Sequence, residues 1–243
     1  MIPKIIHYCW LSGDPYPEKI KYCIDSWKKF LPDYEFMLWD LNQFDINSSI
    51  WVKEAFEVKK YAFAADYIRL YALYTYGGIY LDTDVEVLRS FDSLLDLKYF
   101  IGKENTPHGI EAAILGAEKG TTWIKDCLDY YQNKHFNLGL GKFDTKVLPS
   151  IILNILSQKY EIIDIKRKDE IDKNSTNKIY RFPVDYFSPM TWDTHELNIT
   201  NNTYAIHHFA GTWQQNSTIF EKIRKKLKKI AIILKLKKLE FNL

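Results

Sequence analysis

The chain has 243 residues, of which 47% are hydrophobic, 16% aromatic and 26% charged. This length suits one large domain or two small ones, and the apolar content is too high for a disordered chain. The three cysteines lack the spacing of a disulfide framework or a metal site, which suits a reducing compartment. No signal-peptide pattern opens the sequence, and no apolar run approaches the ~20 residues that cross a bilayer. We therefore expect a cytoplasmic protein.

Charge is distributed unevenly along the chain, whose formal net charge is +2. Residues 220–243 contain nine basic and two acidic residues, whereas the preceding part is net acidic. Apolar residues recur there at steps of three and four, which predicts an amphipathic helix over 219–243. We expect this helix to lie on an anionic membrane, at the inner face of the cell membrane. The alternative is a helix packed on its own domain with a solvated basic face. Nucleic acid is not an expected partner, because basic residues confined to a tail form no groove.

Hydrophobic periodicity predicts alternating strands and helices. The predicted elements are, in chain order, a strand over Lys4–Trp10, a helix over Glu18–Phe30, a strand over Tyr34–Trp39, a short and a long helix within Ile50–Tyr76, a buried strand over Ile79–Leu81, strands over Tyr99–Gly102 and Ile110–Gly116, helices over Thr122–Asn133 and Val147–Gln158, and a strand over Thr203–Phe209. Residues 164–180 are expected to be irregular. The alternation predicts an α/β domain with a largely parallel sheet, which we assign to residues 1–218.

Two carboxylates follow the predicted buried strand in the segment GGIYLDTD, residues 77–84. In α/β sheets, ligands lie beyond the carboxyl ends of the strands. Asp82 and Asp84 are like charges at such an end, which is costly unless a cation offsets them. A hard divalent metal does so and leaves open positions for a phosphate substrate. The alternative is an Asp pair that caps the turn after the strand.

Further candidate residues lie on the long helix and on the last strand. Asp66 and Arg69 are three residues apart on one helix face, among apolar neighbours. They are predicted to contact sugar hydroxyls and phosphate, and the alternative is a self-contained ion pair. His207 and His208 point to opposite faces of a strand, so only one of them is expected to reach a given site. An imidazole there would suit Mn²⁺.

Three segments together resemble glycosyltransferase family 32, the DxD sugar transferases that include capsular polysaccharide enzymes and Och1-like mannosyltransferases. Large clostridial glucosylating toxins carry a related catalytic core. The segments are IPKIIHYCW at 2–10, AADYIR at 64–69 followed by GGIYLDTD at 77–84, and HHFAGTW at 207–213. The short length and the last segment are most similar to the bacterial capsule-type members.

The resemblance implies a GT-A fold with a mixed sheet, a nucleotide-sugar donor and a Mn²⁺ or Mg²⁺ ion. Three aromatic residues would contact the nucleotide by analogy: Trp10, Tyr80 and Trp213. Four polar residues would act on the donor: Asp66, Arg69, Asp82 and Asp84. The metal ligands would be Asp82, Asp84 and His208. Family members often place an Asn where Ala112 stands here, and Glu111 is the candidate substitute.

The implied activity is a retaining, metal-dependent hexosyl transfer in surface polysaccharide synthesis, such as that of a capsule. The favoured donor is a UDP-sugar, with GDP-mannose as the alternative, and the acceptor is a glycan or a lipid-linked oligosaccharide. We favour front-face transfer, because the identified acids all have donor or metal roles.

Two other classes of protein remain alternatives. A metal-dependent phosphohydrolase also places Asp-x-Asp after a strand, but Glu86 stands where Thr or Val is typical of haloacid-dehalogenase-type enzymes. A non-catalytic carbohydrate-binding protein at the membrane would explain the 17 Tyr, 14 Phe and 7 Trp. Such a protein has no need for two Asp residues after the strand and a further charged pair in the helix.

Overall fold

A five-stranded sheet lies at the centre of the fold, which a computed structural model describes for residues 1–106, 109–191 and 194–211. The described residues as far as Phe209 belong to one compact unit. The predicted helix over 219–243, the predicted domain end at residue 218 and Trp213 lie outside the described residues. None of the described helices has the length and apolar character needed to cross a membrane.

Strands and helices alternate through the first half of the chain. The strands are β1 Ile5–Cys9, β2 Glu35–Trp39, β3 Gly78–Leu81, β4 Val85–Val87, β5 Tyr99–Gly102, β6 Glu111–Ala117, β7 Asn137–Gly139, β8 Lys142–Phe143, β9 Glu161–Asp164, β10 Lys178–Arg181 and β11 Ala205–His207. The α-helices are α1 Glu18–Phe30, α2 Ile50–Glu57, α3 Tyr61–Tyr76, α4 Thr122–Asp129, α5 Leu148–Lys159 and α6 Val184–Phe187. Short 3₁₀ helices cover Ile46–Ser48, Asp92–Leu94 and Lys168–Glu170.

The central sheet has the strand order β2-β1-β3-β6-β5. Strands β2, β1 and β3 are parallel, whereas β6 is antiparallel to both β3 and β5. Four of the five strands therefore run in one direction, which confirms the predicted α/β fold with a mixed, largely parallel sheet. The parallel arrangement brings the carboxyl ends of β1, β2 and β3 to one edge, the usual place for a ligand in such sheets.

Both faces of the central sheet are covered by apolar side chains. Tyr80 of β3 packs into a core with residues of α2, α3, α4 and α5. Its neighbours Ile79 and Leu81 point the other way, into a second core that includes Trp27 of α1. All four residues of β3 are buried, as expected for a strand covered on both faces. The strand that precedes Asp82 is therefore held rigidly from both sides.

The turn from α3 into β3 depends on glycine and on a buried histidine. Gly78 has φ +112°, and a Cβ there would lie 2.7 Å from the carbonyl oxygen of Ile5. Only glycine fits that combination of backbone conformation and close approach. Nε2 of His7 lies 2.7 Å from the carbonyl oxygen of Gly77, and Trp39 Nε1 donates to Nδ1 of the same ring at 3.1 Å. These contacts fix where β3 begins.

The structure corrects the prediction that residues 164–180 are irregular. A 3₁₀ helix covers Lys168–Glu170, and β10 begins at Lys178 and pairs in parallel with β9. The short strands β4, β7 and β8 were also not predicted. Helix α4 ends at Asp129, before the predicted Asn133. Such short segments carry little periodicity of their own, so their structure depends on the strand beside them.

Candidate active site

The two aspartates come together through a turn that follows β3. The N–H of Val85 donates to the carbonyl oxygen of Asp82 at 3.0 Å, and β4 begins at once after Asp84. The N–H of Asp82 donates to the carbonyl oxygen of Ala113 at 2.9 Å, which ties the turn to β6. The carboxylates therefore share one side because the backbone turns, not because the strand continues.

The buried side chain of Arg69 contacts Asp82 from the protein interior. Its Nη2 lies 3.2 Å from Asp82 Oδ1 and 3.0 Å from Asp66 Oδ1, and its Nη1 donates to the carbonyl oxygen of Ala112 at 2.6 Å. The Arg69 side chain is only 6% exposed. Burial raises the pKa of Asp66 to about 7, although the nearby guanidinium opposes this shift. The predicted pair on one helix face is thus shared with the turn, and Arg69 is placed to orient Asp82.

Tyr80 lies under the same carboxylate. Its hydroxyl donates to Asp82 Oδ1 at 3.0 Å, and the guanidinium of Arg69 lies 4.6 Å from the centre of its ring. The residue is 1% exposed, so its ring is covered rather than open to a nucleotide. The structure therefore gives Tyr80 a place as a support for Asp82, and the predicted nucleotide contact is not part of this arrangement.

His207, not His208, is brought to the aspartate pair. Strand β11 runs antiparallel to β4 and places His207 opposite Val85, directly after the turn. Ligand atoms of Asp82, Asp84 and His207 all lie within 4.8 Å of one another. His208 points to the other side, where its Nε2 lies 2.8 Å from Glu86 Oε2. Strand alternation therefore leaves one histidine for the site, and the ring that reaches it is the first of the two.

Tyr22 and Glu86 fix this choice between the histidines. The hydroxyl of Tyr22, on α1, donates to Glu86 Oε1 at 2.5 Å, while Oε2 of the same carboxylate contacts His208. The N–H of His208 also donates to the carbonyl oxygen of Asp84 at 3.2 Å. A slip of one residue in β11 would exchange the two histidines, and these contacts oppose it.

Two further carboxylates surround the ring of His207. Glu111 is fully buried; its Oε1 accepts the N–H of Ala113 at 2.8 Å and its Oε2 lies 3.2 Å from His207 Nδ1. Glu104 Oε1 lies 3.7 Å from the same nitrogen. Burial and the neighbouring Glu111 raise the pKa of Glu104 to about 7. Glu111 is therefore a partner of His207, next to Ala112, where the resemblance implied a contact with the donor sugar.

The cluster around His207 contains more acidic than basic side chains. Burial alone lowers the pKa of His207, but the carboxylates of Glu111 and Asp84 outweigh burial and raise it to about 10. A protonated imidazole is therefore the cation that the surrounding acids favour when no other is bound. The donor set of two aspartates and one imidazole suits a divalent cation of the Mn²⁺ or Mg²⁺ type, with the imidazole favouring Mn²⁺.

Trp10 lies just beyond the carboxyl end of β1, at the same edge of the sheet. Its indole Nε1 donates to the carbonyl oxygen of Asp14 at 2.7 Å, and its ring packs edge-on against Tyr16, with 4.9 Å between ring centres. The residue is half-buried. One face of this aromatic pair is therefore a candidate surface for a base. Trp213, the third predicted aromatic contact, lies outside the described residues.

Sequence reasoning missed the part that Glu104 plays, and the resemblance named His208 where the structure brings His207 to the aspartates. Glu104 belongs to no motif, and it is brought to His207 only by the pairing of β5 with β6. The side that each histidine faces depends on the register of β11 against β4. A predicted pairing between the last strand and the segment after Asp84 is the signal that would have identified His207.

Comparisons with known proteins agree with this site. A family profile described as "Glycosyltransferase sugar-binding region containing DXD motif" matches residues 17–101, which include Asp66, Arg69, Asp82 and Asp84. The chain is 37% identical over 131 residues to inositol phosphoceramide mannosyltransferase 3 of Schizosaccharomyces pombe, covering 51% of this chain and 35% of that protein. It is 34% identical over 121 residues to mannosyl phosphorylinositol ceramide synthase SUR1 of Saccharomyces cerevisiae, covering 48% and 31%.

A solved structure named PaToxG Glycosyltransferase aligns with a TM-score of 0.49 and 23% identity, covering 65% of this chain and 68% of that one. The chain spans about a third of the length of the two mannosyl-transferring relatives. Residues 17–101, which match the family profile, contain the turn with Asp82 and Asp84 and the helix α3 that carries Arg69. The family profile and the two mannosyl-transferring relatives confirm the predicted resemblance: over residues 17–101 the chain is similar to the DxD-containing glycosyltransferases.

Proposed function

We propose that this protein is a metal-dependent, retaining glycosyltransferase that moves a hexosyl group from a nucleoside-diphosphate sugar to a glycan or lipid-linked acceptor. The observation that carries the proposal is the grouping of Asp82, Asp84 and His207 at the carboxyl edge of the sheet. The family match favours this proposal over a phosphohydrolase and over a non-catalytic carbohydrate-binding protein, because it names the sugar-binding region of glycosyltransferases with a DxD motif.

The metal would be held by Asp82, Asp84 and His207. When bound, a divalent cation there supplies positive charge against the diphosphate as it leaves. Arg69 and Tyr80 keep Asp82 aimed at the site, and Glu111 orients the ring of His207. A support of this kind fixes which ring nitrogen faces the metal.

The donor sugar would lie above Asp66 and the turn, with the base against Trp10 and Tyr16. The bond between the anomeric carbon and the phosphate oxygen breaks, and the acceptor oxygen forms its bond to that carbon on the same face. The acceptor proton passes to the leaving diphosphate. Neither additional carboxylate suits a nucleophile, because Glu111 is fully buried and bonded, and Glu104 is held by the Thr106 hydroxyl at 2.7 Å and by the ring of His207 at 3.7 Å. These properties support front-face transfer over a covalent intermediate.

The names of the relatives support a particular donor and acceptor. Both named yeast proteins transfer mannose to a phosphoinositol lipid according to their names, which supports a mannosyl donor such as GDP-mannose over the UDP-sugar that the sequence favours. They also support a lipid-borne acceptor over a free glycan. The proposed setting is surface polysaccharide or glycolipid synthesis at the inner face of the cell membrane, with the basic segment 219–243 as an anchor.

A nucleotide panel tests the donor site. The thermal stability of the full chain is measured with UDP, GDP, CMP and ADP, each with and without Mn²⁺. A nucleotide at 100 times its dissociation constant adds about 2.7 kcal/mol, which is readily seen as a rise in melting temperature. We expect a rise with GDP only when Mn²⁺ is present. A rise with UDP instead would indicate that the donor is a UDP-sugar. The absence of any rise would contradict the proposal.

A matched pair of variants tests the metal ligands. His207→Ala is expected to weaken Mn²⁺ binding by about 100-fold or more, because a direct ligand is lost. His208→Ala changes the neighbouring residue of the same type and is expected to leave Mn²⁺ affinity within about twofold. Isothermal titration of Mn²⁺ measures both. Equal loss in the two variants would mean that β11 is merely destabilised, and loss only in His208→Ala would restore the ligand predicted from the resemblance.

The proposed anchor is tested with vesicles. A chain truncated after Asn216 lacks the basic segment and is expected to stay in solution when vesicles with anionic lipid are sedimented. Unchanged binding of the truncated chain would remove the tail from the proposal.

A further inference from the structure

A hairpin formed by β7 and β8 presents two leucines to solvent. Leu138 is 61% exposed and Leu140, at the tip, is 99% exposed. Single exposed leucines are common on protein surfaces, but two of them on one narrow hairpin form a local apolar tip. Nothing among the described residues covers this tip.

The turn at the tip keeps a leucine against the preference of its backbone. Leu140 has φ +51° and Gly141 has φ +71°, so both central residues of the turn lie in the left-handed region. Two-residue hairpin turns with that conformation favour Asn-Gly or Asp-Gly. Leu140 is not the residue type that this backbone conformation favours, and its exposed side chain is not part of the core. Strain at an exposed position points to a role outside the fold.

The base of the hairpin is firmly attached, which distinguishes it from a frayed loop. Glu54 of α2 accepts the N–H of Asn137 at 2.9 Å and contacts His135 Nδ1 at 2.7 Å. Phe143 stacks on Phe136, with 5.4 Å between ring centres, and Phe136 is fully buried. The tip is therefore held out from the body of the protein by a rigid support.

Charge around the tip is basic. Lys142 and Lys146 are exposed, and neither forms an ion pair with another of the described residues, whereas Lys134 is balanced by Asp144 at 3.8 Å. The Lys146 ammonium also lies 5.8 Å from the centre of the Tyr130 ring, which leaves its charge unneutralised. A pair of leucines with such lysines beside them matches the two parts of an anionic membrane surface, the acyl boundary and the charged headgroups. Two leucine side chains fall far short of the ~1,200 Å² that a stable protein interface buries, so a partner protein is a poorer match.

The hairpin also lies next to the donor site along the chain. Residues 144–147 connect β8 to α5, and the backbone N–H of Leu148 at the start of α5 donates to Asp66. The start of α5, which contacts Asp66, is therefore connected to the hairpin by residues 144–147 alone. A membrane contact here would hold the donor site close to an acceptor that is embedded in lipid.

We propose that the β7–β8 tip inserts Leu138 and Leu140 into the headgroup boundary of an anionic lipid bilayer, with Lys142 and Lys146 on the lipid phosphates. This contact is distinct from the basic segment 219–243. It deepens the proposed function by naming the surface from which the acceptor is taken, and it rests on that function only for its purpose. Its test measures vesicle binding, whereas the proposed function is tested by nucleotide binding, so the two can fail separately.

The test uses the full chain and vesicles of phosphatidylcholine with and without 30% phosphatidylglycerol. Leu138→Ser/Leu140→Ser is expected to weaken binding to the anionic vesicles by about tenfold, because two apolar side chains lose their burial. The control Leu197→Ser/Ile199→Ser replaces two other exposed apolar residues, which are 47% and 51% exposed, and is expected to change binding less than twofold. Lys142→Gln is expected to weaken binding about fivefold, and only with phosphatidylglycerol present.

A second variant separates the turn from the contact. Leu140→Asn suits the left-handed conformation, so it is expected to raise the melting temperature by about 2 °C while it weakens vesicle binding. Unchanged vesicle binding by Leu138→Ser/Leu140→Ser would overturn the proposal, as would equal loss in the control pair. A dimeric wild type that becomes monomeric in the leucine variants, with vesicle binding unchanged, would identify the tip as an interface between copies and would also overturn it.

Discussion

His7 and His207 are both packed inside the protein, but their surroundings are opposite. His7 is fully buried near the start of β3, where the carbonyl oxygen of Gly77 and the indole N–H of Trp39 use both of its ring nitrogens. Burial lowers its pKa, and Nδ1 accepts the indole N–H of Trp39, which only a neutral ring can do. His207 lies beyond the end of the same strand, and its ring is surrounded by carboxylates that raise its pKa to about 10.

His7 therefore has a structural role, whereas the surroundings of His207 are those of a binding site. Both ring nitrogens of His7 have a hydrogen-bond partner within the protein, so the ring has no need of a ligand. The acids around His207 exceed the cations available to them, because Arg69 is already shared between Asp66 and Asp82. Repulsion of that kind is relieved by binding a cation. Changes at the His207 cluster should therefore affect metal binding, whereas changes at His7 should affect stability.

The largest expected effect comes from Asp84→Asn. The substitution keeps the shape of the side chain but removes one charge of the metal site, so metal-dependent transfer should fall by about 10³-fold. The transfer rate with saturating Mn²⁺ measures this, and the melting temperature checks the fold. Asp129→Asn, at an exposed position on α4, is the control and should retain full activity. Substantial activity in Asp84→Asn would contradict the assignment of the site.

At the other end of the comparison, His7→Ala should cost about 2–4 kcal/mol of unfolding free energy. It leaves the carbonyl oxygen of Gly77 and the indole N–H of Trp39 buried without their partner, and each such group costs about 1–3 kcal/mol. Urea unfolding measures the loss. Mn²⁺ affinity, measured below the unfolding transition, should remain within about twofold. A large loss of metal affinity in a folded His7→Ala protein would erase the distinction between the two histidines.

Glu111→Gln should sharpen the comparison by changing the support of His207 without changing volume. The amide oxygen keeps the bond from Ala113 N–H, so the amide NH₂ faces His207 Nδ1 and forces that nitrogen to accept. A neutral ring then carries its proton on Nε2, the nitrogen that faces Asp84, where a metal ion needs a lone pair. Mn²⁺ affinity should fall about 10–100-fold, with little change in melting temperature. Glu161→Gln, at an exposed strand end, is the control, and equal affinities in the two variants would remove the supporting role.

The smallest effect is expected at Asp96, an acidic residue that contacts two lysines. Lys168 and Lys173 both contact Asp96 and lower its pKa to about 2. The stabilisation is fully present above the unfolded pKa of about 4 and is lost as the pH falls toward 2. Asp96→Asn should therefore reduce stability by less than about 1 kcal/mol at pH 6, because the group is half exposed, and by less still at pH 3. Urea unfolding at both pH values measures it; a deficit that grows toward pH 3 would contradict the assignment.

Elements with strong periodicity could be predicted from the sequence. Helix α1 has the predicted bounds Glu18–Phe30, and β5 has the predicted bounds Tyr99–Gly102. Helix α3 and the glycines after it were also expected, because a long apolar helix followed by Gly-Gly is a local signal. The strands β4, β9 and β10 were not, since short strands are stabilised by their partners and not by their own residues.

The sequence by itself determined the DxD turn, because Asp82 and Asp84 are contiguous with the glycines and the buried strand that position them. It also determined the helix that carries Asp66 and Arg69, since apolar periodicity is local. Only the tertiary structure decided that His207 rather than His208 completes the cluster. The physical reason is that strand register fixes the side of each residue, and that register depends on contacts between segments more than 100 residues apart.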